Sequence, residues 1–389
     1  MDFSFTEEQK KFRQEVRDFL EEEIRQGFFT PNCDVWMTGN SPEFSRKVAQ
    51  KGWIGIHWSK EYGGQGRSWT DRLIFTEEML RYGAPTACHW FADRQVGRAI
   101  LAYGTEEQKR EFIPKILHGE AFFAVGMSEP EAGSDLASLQ TRAIEDGDNY
   151  VINGQKVWTS GQFRNYIYLL ARTDPEVPKH RGISEFIIDM SLPGITIRPL
   201  VVITGEAEFN EVFFDEVRVP KKCLIGEKNR GFFQILNQLD YERSGIERLM
   251  GNYPLFDAIT KFAKETKRNG KPLSQELLVR NKLAQLEIEF EVGRLLVYRV
   301  AVVMDGGRAP NWEAAMSKAY CTAFEQRLAN AAMEILGPYG QLVAGSKYAP
   351  IRGFAARSYL NSKGYSLQGG TTEILKNIVA RRGLGLPTG

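Results

Sequence analysis

Tyr150-Val151-Ile152-Asn153-Gly154-Gln155-Lys156-Val157-Trp158-Thr159-Ser160 decides the fold class. β-Branched and aromatic residues flank Asn-Gly, the dipeptide that suits a two-residue hairpin turn, so the stretch predicts two strands joined at Asn153-Gly154. Runs of the same kind follow at Tyr166 to Ala171, Ser184 to Asp189, Ile195 to Arg198 and Val212 to Val219, bounded by Gly, Pro and Asp. They predict an antiparallel sheet or small barrel beginning near Ala121. No helical stretch separates the strands, which argues against a parallel nucleotide-binding sheet.

On both sides of this region the period is helical. Thr6-x-x-Gln9 is a capping-box pattern, and Phe12, Val16, Phe19 and Leu20 then share one helical face. Gly104-Thr105-Glu106-Glu107-Gln108 opens another helix, with Phe112, Ile113 and Ile116 on its apolar side. Between them, Lys60 to Gly66 is too glycine-rich for regular structure and reads as a loop. After Gly226 the predicted helices are long: roughly Gly231 to Arg268, Gln275 to Met304 and Pro310 to Leu336, the last two stopped by Gly306-Gly307 and Gly337-Pro338. Ala314, Ala315, Ala319, Ala323, Ala329, Ala331 and Ala332 line the third, and residues this small allow close helix packing. The expected architecture is α+β and multidomain: an N-terminal α-helical domain over 1–120, a middle antiparallel β-domain over 121–228 and a C-terminal helical bundle over 229–389.

Composition narrows the function. The 389 residues suffice for two to three domains at roughly 150 each. Fifty Lys+Arg against 49 Asp+Glu leave a net charge of +1, which gives no support for a nucleic-acid or anionic-membrane partner. Cys33, Cys88, Cys223 and Cys321 are widely spaced and read as reduced, and the four histidines lack the paired spacing of a zinc site, so no metal is expected. With no signal or transit pattern at Met1-Asp2-Phe3-Ser4 and no apolar run long enough to span a bilayer, the expectation is a cytoplasmic protein.

Phosphate-loop, dinucleotide-fingerprint, serine-hydrolase-elbow and zinc-protease motifs are all absent. The informative segments are Phe122 to Asp135 (with Met127-Ser128-Glu129-Pro130 and Gly133-Ser134-Asp135), Val157-Trp158-Thr159-Ser160-Gly161, and Gly369-Gly370-Thr371-Thr372-Glu373-Ile374. Read as residues alone, the first is a polar loop that is either a surface turn or a cradle for a polar ring edge, and Trp158 is either a core residue or a flat aromatic wall. Thr371 and Thr372 precede an apolar helical run and fit an N-cap. Together, in this order and on a helix-sheet-helix background, these segments resemble the acyl-CoA dehydrogenase family. The loop at Lys60 to Gly66 and the ending Gly383-Leu384-Gly385-Leu386-Pro387 extend the resemblance over essentially the whole chain.

The resemblance implies a flavoenzyme with a C-terminal four-helix bundle, holding FAD between sheet and bundle at a subunit interface. It puts Met127, Ser128, Trp158, Thr159, Ser160, Thr371 and Glu373 on FAD, and Glu334 and Gly337 near a partner copy's adenine. It puts Ser134, Asp240, Arg243, Gly369 and Gly370 on the acyl-CoA substrate, with the Gly369 N–H on the thioester carbonyl. Many family members carry the catalytic glutamate where this chain has Gly369, and glycine is no base. In another branch the base lies on a bundle helix, and Leu239-Asp240-Tyr241-Glu242-Arg243-Ser244 is the matching segment here, which makes Glu242 the candidate base. Without the resemblance, Glu242 reads as a solvated helix glutamate.

Two further departures stand out. Thr266 occupies a position where many relatives have an arginine that reaches a neighbouring FAD, so that either Lys267 or Arg268 substitutes or the FAD pyrophosphate is bound differently, and Pro338 replaces one of a usual glycine pair. The implied activity is α,β-dehydrogenation of an acyl-CoA, with electron-transferring flavoprotein as acceptor and a branched, cyclic, dicarboxylic or steroid side-chain substrate. The implied assembly is a homotetramer or homodimer, or a heterotetramer with a paralogue. An oxidase or monooxygenase on the same fold, and a half-site subunit of a heteromer, are the alternative readings.

Overall fold

The computed structural model describes residues 4–160, 164–243 and 246–387, with the side chain of Glu242 also outside the described residues. In chain order the helices are α1 Glu7–Arg25, α2 Val35–Thr38, α3 Pro42–Gln50, α4 Trp69–Arg81, α5 Ala87–Phe91, α6 Gly97–Tyr103 and α7 Glu106–Leu117, then α8 Gly231–Glu242, α9 Ile246–Met250, α10 Tyr253–Glu265, α11 Leu277–Asp305, α12 Asn311–Leu336, α13 Phe354–Tyr365 and α14 Thr372–Ile378. The strands between them are β1 Phe123–Gly126, β2 Arg142–Asp146, β3 Asn149–Ser160, β4 Tyr166–Arg172, β5 Ile183–Asp189, β6 Ile195–Leu200, β7 Phe209–Pro220 and β8 Leu224–Ile225. The result is a helical N-terminal region, a β middle and a helical C-terminal region. Among the described residues no helix is long and apolar enough to cross a membrane.

The chain forms two compact units. One comprises residues 36–67 and 85–242 and contains the sheet, in the order β6-β7-β3-β2-β4-β5-β8, with β1 parallel to β4. Neighbouring strands are otherwise antiparallel apart from a single parallel β2–β4 pair, Arg142 with Arg172. Alternate residues point to a core of Tyr150, Ile152, Leu169, Phe186, Val212 and Val217. Helix α7 begins as its sequence predicts, with Thr105 and Gln108 capping each other and Phe112, Ile113 and Ile116 buried.

Asn153-Gly154 is not a hairpin turn. β3 runs straight through it, because both ends of the Asn153 amide are engaged across the sheet: its Nδ2 donates to Glu216 Oε1 at 2.7 Å, and its Oδ1 accepts from the Glu216 N–H at 2.9 Å. Gly154, with φ +148°, marks a register shift at which a Cβ would lie 2.5 Å from Thr141 Oγ1. The reversal comes one turn earlier, at Gly147-Asp148, where Gly147 takes φ +59° as the first central residue of a two-residue loop.

The other unit joins residues 1–35 and 68–84 to 243–389. Helices α11, α13 and α14 all pack on α12, and α4 packs on both α1 and α11. The long helix expected from Gly231 to Arg268 is broken. Pro254 has no N–H to continue an incoming helix and instead occupies the first turn of α10, and Gly251-Asn252 separates α9 from α10. Asn252 is buried there, donating to Asp34 Oδ1 and Glu325 Oε1, each at 3.2 Å. Past Glu265 the chain forms a small hairpin, Lys267–Arg268 against Lys271–Pro272, around Asn269-Gly270, whose φ values of +52° and +79° suit a type I′ turn.

Three elements of this unit meet at Glu77 of α4. Its carboxylate accepts from Arg13 Nη1 of α1 and from the Tyr298 hydroxyl of α11, both at 2.7 Å, and from Arg294 Nε. Burial alone would raise the Glu77 pKa, but the two guanidinium groups and the hydroxyl outweigh it and hold the carboxyl below its usual range. A carboxylate whose folded pKa is depressed adds stability that is fully present above the unfolded value, about 4.3, and is lost as pH falls through the folded value. Glu77→Gln should therefore cost about 3–5 kcal/mol at neutral pH, and the gap to wild type in denaturant unfolding should narrow steadily below about pH 4. A pH-independent gap would mean that the charge is not what holds these helices.

Candidate functional site

In the sheet-containing unit, a fully buried lysine builds the candidate site. Lys156 of β3 has no exposed side-chain surface, and its ammonium donates to Glu129 Oε1 at 2.7 Å and to the Met127 carbonyl at 3.1 Å. Glu129 also accepts the N–H groups of Gln140 at 2.5 Å and Thr141 at 2.9 Å, and its backbone bridges Ala132 around Pro130-Glu131. The Val157 N–H donates to the Ser128 carbonyl at 2.9 Å, so Met127, Ser128 and Glu129 are fixed along β3 as the chain leaves β1. Burial pulls the Lys156 ammonium down to about 8 despite the carboxylate beside it. Burial works against the Glu129 carboxylate as well, yet Lys156 and the donated hydrogen bonds keep its pKa below normal.

Directly after this anchor β3 shifts register between Lys156 and Thr159. Trp158 takes a positive φ of 61°, rare for an aromatic residue, and is 54% exposed, its ring T-shaped to that of Phe209. Thr159 next to it is buried, and its hydroxyl has no hydrogen-bond partner among the described residues, while Ser160 is buried at the strand end. A flat exposed ring beside an orphaned buried hydroxyl fits a planar heterocycle with polar ring atoms. Gly161 lies outside the described residues.

Met127, Ser128, Trp158, Thr159 and Ser160 are thus brought together. Ser134 is exposed in the following loop, where its neighbour Asp135 pairs with Lys179 at 2.5 Å. Asp240 is half-buried near the end of α8, where Tyr241 stacks under the Arg98 guanidinium 3.4 Å from the ring centre. Glu242 is the last residue of α8, and the orientation expected of its carboxylate lies outside the described residues.

The second cluster is in the other unit. Gly369 and Gly370 take φ values of +60° and +98°, a left-handed turn that side chains disfavour. Lys318 of α12, buried at 2% exposure, donates to the carbonyls of Gln368 and, at 2.6 Å, Gly370. Arg243 Nε donates to the Gly369 carbonyl at 3.2 Å, and Arg248 Nη1 to Gln368 Oε1 at 3.0 Å. Thr371 caps α14 by accepting the Ile374 N–H, and Glu373 is exposed in that helix's first turn. Gly369, Gly370, Thr371 and Arg243 therefore form one group.

Glu334 and Gly337 do not join it. They sit at the far end of α12, about 24 Å along the axis from Lys318, where exposed Glu334 pairs with Lys282 and Gly337 turns the chain with φ +58°. Thr266 ends α10, Lys267 is exposed on the small hairpin, and Arg268 pairs with Glu276 at 3.0 Å.

Three residues escaped the sequence reading: Glu129, Lys156 and Lys318. Lys318 had a visible signal, because it falls in helical register with the buried Ala314, Ala315, Cys321 and Thr322, where a charge is out of place. Lys156 had a weaker one, as the only charged residue from Tyr150 to Ser160.

Three sequence families match the chain end to end: acyl-CoA dehydrogenase N-terminal domain over 6–120, middle domain over 124–217 and C-terminal domain over 229–384. Acyl-CoA dehydrogenase FadE26 of Mycobacterium tuberculosis is 35% identical over 400 aligned positions, covering 100% of this chain and 99% of the relative. Among solved structures, the Tcur3481-Tcur3483 steroid ACAD superposes with a TM-score of 0.90 at 32% identity, and the ChsE4-ChsE5 complex from Mycobacterium tuberculosis with 0.89 at 34%, each covering 100% of both chains. The chain belongs to the acyl-CoA dehydrogenase family, a family of oxidoreductases.

Removing one partner of a buried ion pair strands the other charge. Lys156→Met is expected to destabilise the protein by about 3–5 kcal/mol. In denaturant unfolding, the Lys156→Met/Glu129→Gln double variant should lose clearly less than the sum of the two single losses. Additive losses would mean that the two side chains act independently.

Proposed function

We propose that this protein uses FAD to dehydrogenate an acyl-CoA thioester between its α and β carbons, with Glu242 as the base that removes the α-proton. The observation that carries the reading is the irregularity at Trp158. A backbone forced to positive φ turns an indole outward beside a Thr159 hydroxyl that has no partner among the described residues, and such strain persists where the exposed geometry is used. Trp158 would wall one face of the isoalloxazine. Thr159 and Ser160, with the main chain at Met127 and Ser128, would supply its polar contacts, and Thr371 and Glu373 further ones. Glu334 and Gly337 are assigned to the adenine of a partner copy's FAD.

FAD, when bound, would supply the acceptor for the hydride that leaves the β-carbon. The chain's own residues handle the proton and the carbonyl. The Glu242 carboxylate takes the α-proton as the double bond forms, and a donor at Gly369 or Gly370 stabilises the negative charge that builds on the thioester oxygen. Ser134 and Asp240 are assigned to the substrate. Arg243 acts through the Gly369 carbonyl that it holds. Electron-transferring flavoprotein is the proposed acceptor, and the cytoplasm the proposed location.

For the substrate we propose a branched, cyclic, dicarboxylic or steroid side-chain acyl-CoA. The likeness to a structure described as a steroid ACAD supports the last of these. That structure and the ChsE4-ChsE5 complex are each named for two components, which supports a heterotetramer with a paralogue over a homodimer or homotetramer.

Anaerobic titration with straight, branched, cyclic and steroid side-chain acyl-CoAs, followed by flavin absorbance, tests the reading: one class should bleach the flavin, and bleaching by none would overturn it. Glu242→Gln should keep flavin and bind acyl-CoA with turnover reduced by at least about 10²-fold; retained turnover would remove Glu242 from the role. Thr159→Val should leave the melting temperature of the flavin-free protein nearly unchanged, since its hydroxyl has no partner to lose among the described residues, while lowering the flavin retained per chain. Full flavin retention would exclude Thr159 from the cofactor site.

A further inference from the structure

The turn at 368–370 presents three consecutive main-chain carbonyls, and buried cations hold all three. Lys318 takes those of Gln368 and Gly370, and Arg243 takes that of Gly369. Each carbonyl shares a planar trans peptide with the N–H of the next residue, so fixing the oxygen fixes that N–H in the opposite direction. The Gln368 carbonyl is paired in this way with the Gly369 N–H, and the Gly369 carbonyl with the Gly370 N–H. Among the described residues neither N–H has an acceptor. Charge-assisted hydrogen bonding at the oxygen also polarises the peptide group and makes its N–H a stronger donor.

The Lys318 ammonium, set also against the buried Glu325 carboxylate, whose pKa burial raises and the lysine lowers, places a full positive charge behind two of these carbonyls. Water or a neutral amide could satisfy the carbonyls, but a cation also polarises the peptide groups beyond them. We propose that Lys318 is a positioning residue for catalysis: through the Gln368 carbonyl it aims and polarises the Gly369 N–H toward the thioester oxygen, and so acidifies the α-proton that the base removes. This rests on the acyl-CoA reading given above. Lys318 touches neither substrate nor cofactor in this role, and it acts through one peptide plane.

Lys318→Met keeps the length of the side chain and removes its charge and donors. The measurement is the pH at which a bound 3-thia-acyl-CoA loses its α-proton, read in the FAD-loaded protein as the long-wavelength band that the enolate gives with oxidised flavin. This reports α-proton acidity without turnover, and a merely structural lysine would not move it. In Lys318→Met the midpoint should rise by about one pH unit or more, with kcat falling roughly 10²-fold and KM changing much less. Should that variant fail to fold, Lys318→Gln takes its place: it keeps a neutral donor for one carbonyl, and its midpoint should shift by a smaller amount in the same direction. A midpoint equal to wild type in the folded variant overturns the assignment of Lys318 alone. No band from the wild-type protein with any chain type in the panel overturns the acyl-CoA reading itself.

Discussion

A lysine ammonium withdrawn from water has to be met by oxygen, and this requirement shapes the irregular backbone in both units. Lys156 sits on a strand and Lys318 on a helix, each a rigid element with its own main-chain hydrogen bonds already made. Their Nζ atoms are therefore free to hold loops: Lys156 the Met127–Glu129 segment, Lys318 the Gln368–Gly370 turn. In both cases the lysine grips main-chain carbonyls, and through the planar peptide it also dictates where the neighbouring N–H groups face.

The arrangement explains how strained or left-handed backbone survives at these places. Trp158 follows Lys156 by two residues, and its positive φ is tolerated because the strand on one side is pinned by Lys156 and the residue after it by pairing with β7. Gly369 and Gly370 have no side chains to pack, so their conformation leans on the cations behind them and on the Thr372 N–H bond to the Ser366 carbonyl that closes the turn. Buried charges are poor sources of net stability, because desolvation offsets much of the attraction, but they penalise every conformation that leaves them unpaired. Specified geometry is what they contribute.

The helical unit follows the same logic on a larger scale. Glu77 gathers α1, α4 and α11, while Asn252 joins Asp34, Glu325 and Ser358 in its interior. Asp34, held by Arg357 at 2.9 Å, and Glu325 are both pushed upward in pKa by burial, Glu325 strongly. A polar network of this kind defines one register among helices that apolar packing alone would let slide.

By itself the sequence determined the elements and their order, because capping boxes at Thr6 and Thr105, Gly-terminated helices and alternating β-branched runs act over a few residues and need no distant partner. Its motifs were also enough to identify the acyl-CoA dehydrogenase family. Asn153-Gly154 and Asn269-Gly270 carry the same dipeptide, yet only the second turns the chain. The difference is made by Glu216 and Thr141, residues far along the chain that meet the first pair only across the folded sheet. Tertiary structure likewise decided that α1 and α4 pack with residues 243–389, that Glu129 is the partner of Lys156, and that Lys318 stands behind the Gly369 turn. Burial and pairing depend on contacts tens to hundreds of residues apart, and local propensity has no access to them.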